Sequence, residues 1–331
     1  MTNRQRIVNV LDFKPVDRVP VIEWAGWWKK TRERWANEGV SEDLSRNEVY
    51  GYFGMDNHYQ IGFPIRKEGF PAKKYSDGYV DNEKDYEQIK EYLFPEDAVS
   101  SRVDYLKSLG EQQRRGDFPV WMTTDGYFWH PRTLFGIERH LYSFYDHSEL
   151  YHRICSDLVD FQLKMLEQFC ECVTPDFMTF AEDMSYNHGP MISKEMFDEF
   201  LAPYYKKIIP ALKQHGIKVI IDSDGDVTRL IPWLESVGIE GVLPLERQAG
   251  VDVAQIRELH PDFLMIGGFD KMVMKNGREA MKTEFERLLP VMKKGGYIAS
   301  VDHQTPPDVS VENYKIYIEL FKEYSLKAAD N

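Results

Sequence analysis

Asp222 and Asp224 stand two residues apart in the run KVIIDSDGD (218–226). The run reads as a β-strand, and alternate residues of a strand project to the same side, so both carboxylates are expected to face one way. Acids also end other β-rich runs: Glu182-Asp183 after DFMTFA, Glu246 in IEGVLPLE, Asp270 in FLMIGGFD and Asp302-His303 in YIASVDH. Carboxylates turned into an apolar interior are costly unless a cation, a metal or a shared proton compensates them. Asp, Glu and His together suit zinc or another divalent first-row metal. No short zinc signature such as H-E-x-x-H is present. The bland alternative is that acids at strand-to-helix junctions cap the next helix, which is the expectation for Asp226 and Asp270.

The elements that must position these groups alternate. In the second half, five β-rich runs (176–183, 218–226, 239–246, 263–270 and 297–303) are each followed by a helical stretch. That alternation signals βα units and a parallel sheet. The stretch 192–216 reads as one helix capped by Ser193, Gly238 ends another, and Ser310 caps the closing one. The first half adds DRVPVIEWA (17–25), DNHYQIGF (56–63) and FPVWMTTDG (118–126). Eight strands predict an α/β fold of the (β/α)8 TIM-barrel type, with reacting groups at the C-terminal strand ends. A doubly wound open sheet is the alternative, but no G-x-G-x-x-G or P-loop sequence follows a strand. Residues 66–117 read as an insertion in an early barrel loop, with a short hairpin and a helix. The expectation is a single domain over 1–331.

Composition narrows the partners. The 331 residues carry 41 Lys+Arg against 54 Asp+Glu, a net charge of −13. Such an acid excess argues against nucleic acid and against an anionic membrane surface. No apolar run approaches the roughly 20 residues of a spanning helix, and the first residues lack a signal-peptide core, so a cytoplasmic protein is expected. Three cysteines make no disulfide framework; Cys155, Cys170 and Cys172 read as helix packing.

Aromatic residues gather near the ends of the first and third strands: Trp24, Trp27, Trp28, Tyr127, Phe128 and Trp129. They are either core or an aromatic wall for a planar ring. Trp24, Tyr127, Trp129 and His130 are therefore candidate substrate-binding residues. Tyr186 and His188, in SYNHGP (185–190) beside Glu182, join them. His58 is a weaker candidate, and His140, His147, His152, His215 and His260 read as surface or capping groups of helices.

The segments RQRIVNVLDFKPVDRVPV (4–21), GPMISKEMFDEFLAPYYKKI (189–208), VIIDSDGDV (219–227), GGFDK (267–271) and DHQTPPDVSVENY (302–314) together resemble the uroporphyrinogen decarboxylase superfamily. The resemblance runs from about residue 4 to 324 and implies an α/β barrel. It also implies one of two chemistries: decarboxylation without a cofactor, or metal-dependent methyl transfer involving a corrinoid. The decarboxylases place substrate-holding arginines just after the V-P-V segment. Here Trp24 and Trp27 stand there, which argues against a porphyrinogen with many carboxylates. The methyltransferases hold zinc on His-x-Cys and a later Cys. Matching those positions through Gly225 and Asn313 gives Asp222, Asp224 and His303, with Glu246 and Glu182 able to complete the shell. An oxygen-and-nitrogen set makes a harder Lewis acid than thiolates, suited to an oxygen substrate.

What the resemblance implies is thus a metal-dependent methyltransferase moving a methyl group between a small molecule and a corrinoid protein, with O-demethylation of a methoxylated aromatic in view. Asp222, Asp224, Glu246 and His303 would hold zinc or another divalent metal, and Glu182 and Asp222 would serve catalysis. The chain lacks the D-x-H-x-x-G motif of a corrinoid domain, so a partner protein would supply the corrinoid. A homodimer is compatible with this reading. The alternative is a cofactor-independent decarboxylase acting on a substrate other than uroporphyrinogen.

Overall fold

Strands rich in Val, Ile, Met and Phe with no polar face are what a parallel sheet covered on both sides requires. The computed structural model, which describes residues 1–75 and 77–330, contains such a sheet. Its strands are β1 (Tyr59–Ile61), β2 (Val120–Asp125), β3 (Phe177–Ala181), β6 (Lys218–Asp222), β7 (Gly241–Leu243), β8 (Leu264–Ile266) and β9 (Tyr297–Ile298). They pair in chain order, and every pairing is parallel. A small antiparallel hairpin, β4 (Ser185–Tyr186) with β5 (Gly189–Pro190), is inserted after β3. Helices fill the connections, and one apolar core runs through the chain. The fold is therefore α/β with a curled parallel seven-stranded sheet.

The eighth ladder expected at 17–25 does not form. The segment instead touches both edges of the sheet mainly through side chains, with one backbone hydrogen bond towards β1. Towards β1, the Val21 amide donates to Asp56 Oδ2 and the Asp56 amide to Val21 O, both at 2.9 Å. Towards β9, the Trp24 amide donates to Ser300 Oγ at 3.2 Å and its indole to Val301 O at 2.6 Å. Glu23 accepts from Ser300 Oγ at 2.7 Å. Pro20 has no N–H to give a ladder, so carboxylates and a hydroxyl take over the pairing.

Glu23 lies buried in this seam, and burial pushes its carboxyl up to about 7. The consequence for stability has a definite sign. Below the ordinary glutamate range both states hold the proton. Between there and about pH 7 the unfolded chain ionises while the folded one does not, so stability falls as pH rises. Glu23→Gln removes that dependence. Its stability relative to the parent is expected to rise by up to about 3 kcal/mol between pH 4.5 and 8. Urea unfolding at both pH values checks this; an unchanged difference between the two proteins contradicts it.

Two other elements differ from expectation. The stretch 192–216 is broken at Leu201 into Lys194–Phe200 and Ala202–Gln214, because Pro203 opens the second helix and cannot continue the first. Ser193 still caps the first, accepting from the Met196 amide at 3.2 Å. Within 66–117, the helix Val103–Arg115 is the ordinary connection between β1 and β2, and a helix at Glu83–Lys90 precedes it. The expected hairpin there is a single antiparallel bridge between Arg66 and Leu93. Among the described residues, no helix is long and apolar enough to cross a membrane.

Candidate metal centre and adjoining cleft

Asp125, Ala181, Asp222 and Leu243 are neighbours across one row at the C-terminal edge of the sheet. The strand β6 ends at Asp222, and the chain then turns through Ser223-Asp224-Gly225-Asp226. Gly225 has φ +82, and a Cβ there would meet the Tyr186 backbone at 2.7 Å. Only glycine lets this turn press against the β4–β5 hairpin. The Gly225 amide then donates to Glu246 Oε2 at 2.9 Å, the Asp224 amide to Asp183 Oδ1 at 3.4 Å and the Asp226 amide to Tyr186 O at 2.9 Å.

This turn brings Asp224, Glu246 and His303 together. One ligand atom from each lies within 4.8 Å of the others, and all three residues are half-buried. His303 Nε2 is 3.5 Å from Asp224 Oδ2. Bonds of about 2.1 Å in a tetrahedron put ligand atoms roughly 3.4 Å apart, so the trio fits a divalent cation after a small closure. The hydrogen bond with Asp224 raises the His303 imidazole above its usual range.

Of the four expected ligands, Asp224, Glu246 and His303 come together and Asp222 does not. The two-residue alternation that predicted a shared face for Asp222 and Asp224 applies only within a strand, and the strand stops at the first of them. Asp222 lies behind the trio. Burial, then the charges of Asp183 and Asp224, push its carboxyl well above the usual range.

Glu182, expected to serve catalysis, sits in a dense hydrogen-bond network. It is fully buried and accepts from the amides of Tyr127 (2.7 Å), Phe128 (2.7 Å) and Trp129 (2.9 Å), and from the Tyr205 hydroxyl. It anchors the turn that opens the helix Trp129–Phe135. Asp302 is likewise engaged, accepting from the Arg247 and Lys271 amides and from Lys271 Nζ at 3.2 Å. Asp270 caps the short helical turn Lys271–Asn276 through the Met272 amide, as the capping alternative required, whereas Asp226 accepts from the Thr228 amide in a turn and the next helix, Ile231–Val237, follows Leu230 without a side-chain cap.

Of the candidate substrate residues, Trp24 stands edge-on to His303 with ring centres 6.2 Å apart. Trp129 lines a cleft of about 540 Å³ at the ends of β1, β2 and β3. Tyr186 and His188 are exposed on the β4–β5 hairpin, rings 5.8 Å apart. Tyr127 is not available: it is buried, and its hydroxyl donates to Gln162. His130 is buried too, 3.1 Å from Asp125 Oδ2. His58 lies between Tyr50 and Trp121 away from the strand ends, and burial lowers it to about 3. His140, read as a surface group, is buried against Phe128 and Tyr151.

Sequence reasoning passed over Asp183, Arg132 and Arg66. Asp183 has φ +45, and it links Arg132, which donates to its carbonyl at 3.3 Å, to the Asp224 amide. Its place beside Glu182 was the only signal. The arginines carried none, since one sits in the apparent insertion and the other in a short helix.

The comparisons with known proteins bear on this arrangement. A curated uroporphyrinogen decarboxylase from Chlorobium phaeovibrioides is 29% identical over 143 residues, 41% of this chain and 40% of that protein. One from Chloroherpeton thalassium is 24% identical over 177 residues, 50% of this chain and 49% of that protein. The chain thus spans under half the length of these relatives. The methylcobamide:CoM methyltransferase MtbA of Methanosarcina acetivorans is 21% identical over 298 residues, 83% of this chain and 85% of that protein. The family model described as uroporphyrinogen decarboxylase (URO-D) matches residues 75–324, which is most of the chain and includes Asp224, Glu246 and His303. The chain belongs to the uroporphyrinogen decarboxylase (URO-D) family.

Proposed function

We propose that this protein is a metal-dependent methyltransferase that moves a methyl group between a small oxygen-bearing molecule, such as a methoxylated aromatic, and a corrinoid protein. The observation that carries the reading is the convergence of Asp224, Glu246 and His303 at the strand ends. The extended likeness to a methylcobamide:CoM methyltransferase supports it. Zinc or another divalent metal held there would supply Lewis acidity towards a substrate oxygen. The chain's own residues do the rest. The Gly225 amide and the Asp224–His303 contact aim the three side chains at one point. Trp24 walls the His303 side, its indole fixed on Val301 O. The cleft beside Trp129 opens one strand away and offers the substrate its place. The corrinoid is assigned to a partner protein.

The test is metal analysis of the gently purified protein, followed by methyl transfer from a methoxylated aromatic to a corrinoid protein. About one equivalent of divalent metal is expected, with activity lost to a chelator and restored by zinc. Under about a tenth of an equivalent, with no gain on adding zinc, overturns the proposal. The decarboxylase relatives favour a second reading, decarboxylation without a cofactor. Release of carbon dioxide by metal-free protein would identify it.

A further inference from the structure

Two guanidinium groups border the cleft and the recess beside it without forming an ion pair, although Arg132 stands near enough to Asp183 to feel its carboxylate. Arg66 lines it, donates to Thr133 Oγ1 at 2.9 Å and lies over the rings of Phe70 (4.6 Å) and Tyr79 (5.3 Å). Arg132 lies over the ring of Trp129 at 5.2 Å and gives one N–H to the Asp183 carbonyl. Both are half-buried, and among the described residues neither forms an ion pair. A second recess of about 270 Å³, lined by both arginines, by exposed Lys73 and by Asp77, adjoins the cleft through Arg66, Trp129 and Thr133. The acids nearby have other partners: Asp125 faces His130, Asp77 holds the Ile137 amide and Arg139, and Asp183 accepts from the Asp224 amide.

In a chain of net charge −13, partly desolvated arginines facing a hollow without an ion pair call for an anion from outside. Stacking on aromatic rings holds each guanidinium flat and leaves its edge free for two-pronged recognition. Arg132 is linked through Asp183 to the Asp224 backbone, so a chain of hydrogen bonds joins the cationic recess to the metal trio.

We propose that Arg66 and Arg132 form a carboxylate-recognising end of the substrate site, and that the substrate is a planar, aromatic-type acid. Its carboxylate binds between the arginines, and its other end extends through the cleft towards Asp224, Glu246 and His303. The assignment of that second end rests on the methyltransferase reading; the anion end does not.

The experiment is calorimetric titration of the full-length, metal-free protein with 4-methoxybenzoate, its methyl ester and inorganic phosphate. The parent, Arg66→Gln and Arg132→Gln are compared, with thermal melts as the folding control. The acid is expected to bind, the neutral ester at least roughly tenfold more weakly, and each variant to lose about tenfold or more for the acid alone. Arg66→Lys and Arg132→Lys, which keep the charge and lose the fork, should recover only part of the loss. Acid and ester binding equally overturns the proposal on the parent protein alone, whatever the variants do. So does acid binding that neither arginine affects, or no acid binding at all. Tighter, arginine-dependent binding of phosphate overturns the carboxylate in favour of a phosphate-bearing substrate. No metal or corrinoid enters the measurement. Absent methyl transfer therefore leaves it standing, and absent acid binding leaves the metal trio standing.

Discussion

His303→Ala should purify folded and without metal, with methyl transfer reduced at least about 100-fold, the scale found when one group that stabilises developing charge is removed. The side chain is the single nitrogen donor of the trio, and it is half-buried at a loop rather than packed in the core. Its removal also takes away the group that faces Asp224. Asp183, Asp222, Asp224 and Glu246 would then confront one another with no imidazole between them, and two carboxylates would be left to hold a cation. Stability should change little, because the residue is half-buried in a loop and, among the described residues, its one ring contact is with the edge of Trp24. Elemental analysis and a thermal melt on the same sample decide the matter. A variant that retains a full equivalent of metal removes His303 from the site, and one that fails to fold shows a structural role instead.

That His303 could be nominated at all follows from a local signal: an acid and an imidazole at the end of a β-rich run, followed by a Ser-capped helix. The same kind of signal placed β2, β3, β6, β7, β8 and β9, whose apolar runs are long enough to be distinct and are broken by Gly, Pro or capping residues. What was not legible depended on partners distant in sequence. Glu182 has the composition of a catalytic acid, yet its role is set by three amides some 55 residues earlier. Val21 and Trp24 have strand-like neighbours, but Pro20 and the carboxylates of Glu23 and Asp56 turn a ladder into a side-chain seam. Asp224 was placed on the right end of the molecule for an incomplete reason. Strand alternation put it with Asp222 and the resemblance added Glu246 and His303, whereas the turn at Gly225, pressed on Tyr186, brings it together with the last two only. Arg66 and Arg132 were invisible because a cation in a polar loop or short helix is ordinarily a solvated surface charge until a cleft is seen beside it.

Glu182→Ala, by contrast, should cost stability rather than chemistry. The carboxylate accepts four hydrogen bonds in a fully buried position, three from consecutive amides and one from Tyr205. Each donor left buried without an acceptor costs about 1–3 kcal/mol, so the sum approaches the whole stability of an ordinary domain. The neighbourhood cannot simply collapse onto the gap. Gly126 packs so closely that a Cβ there would meet Glu182 Oε1 at 2.0 Å, and the backbone of 126–129 is shaped around the carboxylate. Glu182→Gln is the milder case: it keeps one acceptor and turns an NH2 towards amides that also donate, so about half of the loss is expected. Burial pushes the carboxyl up to about 7 against the pull of its four donors. The native group is thus itself under an electrostatic burden that Gln relieves, which is why the amide variant should survive where Ala does not. Urea unfolding of the two variants gives the ordering parent, Gln, Ala, and the Gln variant should still bind metal. If instead Gln folds with parent stability and has lost methyl transfer, Glu182 belongs to the chemistry and the structural assignment fails.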